Sequence, residues 1–147
     1  MVDDFEPFRR FLRSILQKNW DCRSIVEASD GAEAVELATE LQPDLILLDI
    51  GLPTLNGLAV AQRLSHKLPG TKILFVSANR DASVIDAALS NGGKGFVLKT
   101  DAASELSQAI AAVLNGEVFV SNRIKRGEVP VKEESLRSSE PNDTRSK

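Results

Sequence analysis

Two hydrophobic periods alternate along the chain. Phe8, Phe11, Leu12, Ile15 and Leu16 recur at helical steps, and Pro7 stands where a first helical turn tolerates it. Residues 23–28 are short, contain Ile25-Val26 and stop before Ser29-Asp30-Gly31, the pattern of a strand. Ala32, Val35, Leu37, Ala38 and Leu41 define the next helix, closed by the Gln42-Pro43 step. Residues 44–50 hold the run Leu45-Ile46-Leu47-Leu48, as expected of a strand buried on both faces. A turn over 51–57 leads to a helix over 58–66, and the Pro69-Gly70 turn to an apolar strand over 72–78. A helix over 81–89 is stopped by Asn91-Gly92-Gly93. A short strand over 95–99 and a strongly periodic helix over 102–114 complete the pattern.

Strands alternating with helices predict an α/β fold, a doubly wound parallel sheet covered on both faces. In such sheets ligands bind beyond the carboxyl ends of the strands. Those positions hold Asp3 and Asp4 near the start, then Asp49, Ser77 and Lys99. Three carboxylates in one pocket repel; a pair about 4 Å apart costs roughly 4 kcal/mol at an effective dielectric near 20. A hard divalent cation with open water positions, such as magnesium, relieves that repulsion. Beside such a cation a carboxylate can attack a phosphoryl group, while a hydroxyl and an ammonium bind the remaining oxygens.

Composition narrows the alternatives. The 147 residues are 42% hydrophobic and 27% charged, which suits one globular domain. Cys22 is the only cysteine, which forbids an internal disulfide and any multi-cysteine metal site, and His66 the only histidine, which argues against histidine-based metal sites and Ser-His-Asp chemistry. The longest apolar runs are strand-sized and no signal peptide is evident, so a cytoplasmic chain without a membrane span is expected. The net charge of −3 argues against direct DNA binding. From residue 125 to 147, six positive and five negative charges accompany only Val129, Val131 and Leu136 as large apolar residues. We expect residues 123–147 to form a polar, disordered tail on a domain over 1–122.

Val2-Asp3-Asp4, Leu47-Leu48-Asp49-Ile50-Gly51-Leu52-Pro53 with Gly57, Val76-Ser77-Ala78 and Gly95-Phe96-Val97-Leu98-Lys99 together resemble the receiver domain of two-component response regulators. The wording around Lys99 and at Leu114-Asn115-Gly116-Glu117-Val118 resembles receivers of LuxR-type transcription factors most. The resemblance implies a flavodoxin-like, five-stranded sheet of order 2-1-3-4-5. It implies that Asp49 accepts a phosphoryl group from a sensor histidine kinase. Asp4, Asp49 and the Gly51 carbonyl would hold Mg2+, with Asp3 supporting through water. Lys99 would contact the phosphoryl group and Ser77 would hydrogen-bond it. Phe96 would be an aromatic switch that turns inward as the Ser77 hydroxyl moves. Output would pass through a surface over 82–115 to a protein partner or a second copy. Catalysis would extend at most to self-phosphorylation and autodephosphorylation.

Taken singly, Asp3-Asp4 would be a helix cap, Asp49 a turn cap, Ser77 structural, Lys99 a surface lysine and Phe96 core. Their joint order at strand ends is what favours function. His66 reads as a solvated helix-end residue, Cys22 as a small half-buried hydrophobe, and Trp20 as a cover for the first helix's end. Two departures from the family pattern stand out. Only Met1 and Val2 precede Asp3, so the first strand is expected to be truncated, from a misplaced start or a shortened gene product. No apolar periodicity follows Ile124, where a DNA-binding domain would continue. Other readings are an interaction module that cannot be phosphorylated, a remnant of a DNA-binding regulator, and a flavin or nucleotide binder. The last lacks a glycine-rich phosphate loop.

Overall fold

The computed structural model describes residues 1–21 and 24–127. In chain order they form α1 (Glu6–Asn19), α2 (Gly31–Leu41), β1 (Leu45–Leu48), α3 (Gly57–Lys67), β2 (Lys72–Ser77), α4 (Ala82–Ser90), β3 (Gly95–Leu98), a 3-10 turn (Lys99–Asp101), α5 (Ala102–Leu114), β4 (Phe119–Val120) and α6 (Asn122–Lys125). Among these residues the four strands make one parallel sheet in the order β1-β2-β3-β4.

Side chains alternate across the sheet as strand geometry requires. Ile46, Leu48, Ile73, Phe75, Phe96 and Leu98 face the helices α2, α3 and α4 in one core. Leu47, Leu74, Val76 and Val97 face the opposite way, into a core with Leu12 and Leu16 of α1 and Leu106, Ile110 and Val113 of α5. The doubly wound architecture is as the alternating periods predict.

The front of the sheet differs from the five-stranded expectation. Val2 forms single parallel bridges to Ala28 and to Leu48, and residues 24–28 make no strand. The spatial order 28–2–48 therefore keeps the 2-1-3 sequence of the flavodoxin-like sheet, but in one residue pair on each side. Val2 N donates to Leu47 O at 2.8 Å, and Met1 N donates to Val26 O at 2.8 Å. Beyond Met1 lies a cavity of about 560 Å³, walled by Val26, Leu45, Leu47, Trp20 and Ile110 among others. Burial pushes the Met1 amine down from 8.0 to about 6.

Two further elements were not anticipated. β4 pairs with β3 at the far edge, Phe96 opposite Val120, and α6 follows at once. Ile124 packs against the core, so ordered structure continues past residue 122. Residues 128–147, most of the expected tail, lie outside the described residues, as does Cys22. Trp20 is half-buried at the end of α1 and His66 is exposed in the last turn of α3, as expected. Among the described residues no helix is long and apolar enough to cross a membrane.

Candidate functional site

The acidic residues meet where three backbone segments converge. Asp49 N donates to Val2 O at 3.0 Å, and Asp3 N donates to Ala28 O at 3.1 Å. These bonds set Asp3 beside the carboxyl end of β1, so that single carboxylate oxygens of Asp3, Asp4 and Asp49 lie within 4.8 Å of one another. Asp3 is 1% exposed and Asp49 8%, whereas Asp4 is open to solvent. Phe5 N holds Asp3 Oδ1 at 2.8 Å, and Ile50 N holds Asp49 Oδ1 at 2.7 Å.

Lys99 enters from the end of β3. Its Nζ lies 2.7 Å from Asp3 Oδ2 and 3.1 Å from Asp49 Oδ2. The Asp3 contact is the shorter of the two ion pairs. Burial raises the Asp3 carboxyl above its ordinary range, against the pull of Lys99, and the Asp49 charge adds to the rise. Burial alone would depress the Lys99 ammonium; Asp3 and Asp49 outweigh it and hold the group above its ordinary value.

Two contributors escaped the sequence reading. The Phe8 ring centroid lies 4.5 Å from Lys99 Nζ, a cation–π contact that covers the ammonium from α1. Arg9 Nη1 donates to Asp3 O at 2.6 Å while Arg9 Nε binds Glu27 at 2.8 Å. Arg9 and Arg13 together hold the Glu27 carboxyl below its ordinary range. Both phenylalanine and arginine read in sequence as ordinary positions of an amphipathic helix, and their spacing carries no sign of the site.

The remaining predicted residues are placed as follows. Ser77 ends β2, 2% exposed, and its Oγ accepts from Asn79 N at 3.2 Å. Phe96 is fully buried and stacks on Phe75, centroids 6.1 Å apart at 21°. Gly51 is exposed in the loop beyond Asp49. That loop returns to Gly57, whose N donates to Ile50 O at 2.8 Å. A Cβ on Gly57 would collide with the Asp49 carbonyl, so only glycine permits this approach.

The site fits a small hard cation. It offers three carboxylates whose oxygens lie within 4.8 Å of one another, one of them on a solvent-facing residue.

A family model for the response regulator receiver domain matches residues 1–111. The chain belongs to this family. As a two-component receiver it is 32% identical over 145 residues to the transcriptional regulatory protein DegU of Brevibacillus brevis, covering 95% of this chain and 61% of that protein. A LuxR-family two-component response regulator from Aurantimonas sp. SI85-9A1 matches in structure with a TM-score of 0.80 at 28% identity, over 85% of this chain and 89% of that one. The receiver domain of the putative response regulator NarL from Mycobacterium tuberculosis matches with a TM-score of 0.73 at 32% identity, over 79% and 94%. The receiver spans between about half and three-fifths of the length of the first curated relatives it matches.

Proposed function

We propose that this receiver accepts a phosphoryl group on Asp49 from the phosphohistidine of a sensor histidine kinase and signals through a protein surface. The observation that carries the reading is the placement of Asp49. It is the acid at the carboxyl end of β1, less enclosed than Asp3 at 8% against 1% exposure, with the Lys99 ammonium 3.1 Å from its Oδ2. Asp3 is too enclosed to attack a donor, and its backbone and side chain are engaged by Ala28, Phe5 and Lys99.

In the transfer an Asp49 oxygen attacks phosphorus, the P–N bond to the kinase imidazole breaks and an acyl phosphate forms. Asp4, Asp49 and the Gly51 carbonyl would hold Mg2+, with Asp3 supporting through water. Bound there, the cation would neutralise charge on the phosphoryl oxygens. Lys99, freed from part of its pairing with Asp49, would neutralise a second oxygen. The Ser77 hydroxyl would leave Asn79 for a third. Phe96 is already turned inward onto Phe75, so as the proposed aromatic switch it would couple the shifted β2–α4 loop to the 82–115 surface from this inward position. That surface would bind a protein partner or a second copy of the chain, in the cytoplasm.

The test is incubation with Mg2+ and a small acyl phosphate, followed by intact mass. One phosphate added to the wild type and none to Asp49→Asn is the expected result. Equal uptake by both would refute the assignment.

A further inference from the structure

The chain beyond α5 returns to the residues that flank Lys99. Ser121 is fully buried, its N donates to Phe96 O at 2.9 Å, and its Oγ accepts from Leu98 N at 2.9 Å. The two bonds occupy successive positions along β3. The first is an ordinary ladder bond. At the second the chain is already turning into α6, and the side-chain oxygen takes the role of the missing strand carbonyl. Leu98 is the residue immediately before Lys99, so this hydroxyl fixes the Val97–Leu98 peptide, one unit ahead of the lysine's own.

A second arm closes on the other side of the lysine. Arg123 Nε donates to Asp101 Oδ1 at 3.0 Å, and Asn122 N donates to Glu105 Oε2 at 3.1 Å. Asp101 ends the 3-10 turn that Lys99 begins, and Glu105 lies in the first turn of α5. The turn is thus held before and after Lys99 by three consecutive residues, Ser121 to Arg123. Within it, Nζ must reach Asp3 and Asp49 from a single backbone position, 2.7 and 3.1 Å away.

We propose that Ser121 is a positioning residue for Lys99, with Arg123 as a second arm, and that β4 and α6 serve phosphoryl transfer by fixing the lysine's backbone. This rests on the proposed role of Lys99 at the phosphoryl group. Neither residue touches the acidic cluster; both act through the turn over Lys99–Asp101.

The test compares wild type, Ser121→Ala, Ser121→Thr, Arg123→Ala, Lys99→Ala and the Ser121→Ala/Lys99→Ala double variant. Three quantities are measured: the initial rate of phosphate uptake from acetyl phosphate, Mg2+ affinity by calorimetry, and the Lys99 ammonium resonance in 15N-lysine spectra of the unphosphorylated protein. Ser121→Ala should slow uptake about tenfold or more, since small misplacements of a reacting group cost rate steeply. Mg2+ affinity should not fall, because the carboxylates are untouched and a displaced Lys99 competes less for them. Ser121→Thr should restore the rate, and Arg123→Ala should slow it less. In the Lys99→Ala background, Ser121→Ala should add nothing. The Lys99 resonance should move toward that of a solvated lysine in Ser121→Ala. A Ser121→Ala protein that matches wild type in rate and resonance overturns the proposal, as does an equal loss with and without Lys99. If wild type takes no phosphate, the proposed function fails, and the Lys99 resonance still decides the positioning role. If Ser121→Ala does not fold, Arg123→Ala and the Ser121→Thr rescue decide it.

Discussion

Lys99 sits closer to Asp3 than to Asp49: Nζ is 2.7 Å from Asp3 Oδ2 and 3.1 Å from Asp49 Oδ2. The most enclosed carboxylate of the site therefore takes most of the lysine's charge, and Asp49 keeps the freer face. Even so, burial leaves the Asp3 carboxyl raised. A raised carboxyl means that folding favours its protonated form.

Asp3→Asn should for that reason stabilise the metal-free protein at neutral pH, because the amide avoids the burial cost that raises the carboxyl while Lys99 keeps Asp49 as its partner. The sign with pH follows. The cost of the Asp3 charge is fully present above its folded-state value and is relieved as pH falls through that value toward 3.8, where the unfolded chain titrates. Urea melts of both proteins between neutral pH and pH 4 should show the gap narrowing as pH falls. A gap independent of pH would assign the effect to packing. The same variant should lose Mg2+ affinity.

Lys99→Ala should tighten divalent-cation binding while weakening the empty fold. The lysine neutralises two of the acids that a cation would use, so removing it removes a competitor. A gain of about tenfold, ~1.4 kcal/mol, is expected in a Mg2+ titration at low salt, shrinking as ionic strength rises. Weaker binding would mean that Lys99 orders the carboxylates more than it competes for them.

Gly57→Ala should be among the most damaging substitutions outside the acidic cluster. The added methyl meets the backbone carbonyl of Asp49, which cannot give way without moving the acid. We expect a loss of about 2–4 kcal/mol in chemical denaturation, within the range of overpacked core positions, together with weakened Mg2+ binding. Gly51→Ala is the control. Nothing lies within 4 Å of its would-be Cβ, so its stability should change by less than about 0.5 kcal/mol.

Much of this arrangement was legible in the chain. The runs Leu45–Leu48 and Gly95–Leu98 sit where apolar continuity predicts strands, and Ala102–Leu114 is helical over the residues its period marks out. Asp3, Asp49 and Lys99 meet because the ends of β1 and β3 lie at one rim of a parallel sheet, a consequence of topology. The 23–28 strand was misread because Ile25-Val26 has strand propensity but no long neighbour to pair with, and pairing decides. β4 is two residues long, below what periodicity can register. Ser121 was invisible for a different reason: its role depends on where the chain turns away from β3, and no spacing encodes that.

The cavity beyond Met1 makes a separate prediction about the sheet. Met1 N and Val2 N already donate to Val26 O and Leu47 O, one on each side, as a strand threading between those segments would. An added strand would run on in parallel, between residues 24–26 and Leu45-Ile46. Apolar side chains of both cores line the cavity, Trp20 and Ile110 from one and Ala34 and Ala38 from the other, with Asp21, Glu27 and Asp44 also in the lining. Fusing an extension of valines and isoleucines to Met1, 4 residues long like β1, should therefore stabilise the chain. Burying such side chains gains about 1.5–3 kcal/mol each and ordering the backbone costs about 1–2 per residue, so the midpoints over four residues leave a net gain of about 3 kcal/mol. The fusion also turns a buried amine into an amide. That amine titrates at about 6 in the fold and 8.0 when unfolded, so its charge penalises folding fully below pH 6 and not at all above pH 8. The advantage of the fused protein should accordingly be greatest below pH 6 and shrink toward pH 8, leaving the packing gain. A glycine–serine extension of equal length should supply only the pH-dependent part, and equal stabilisation by both extensions would mean that the cavity does not take a strand.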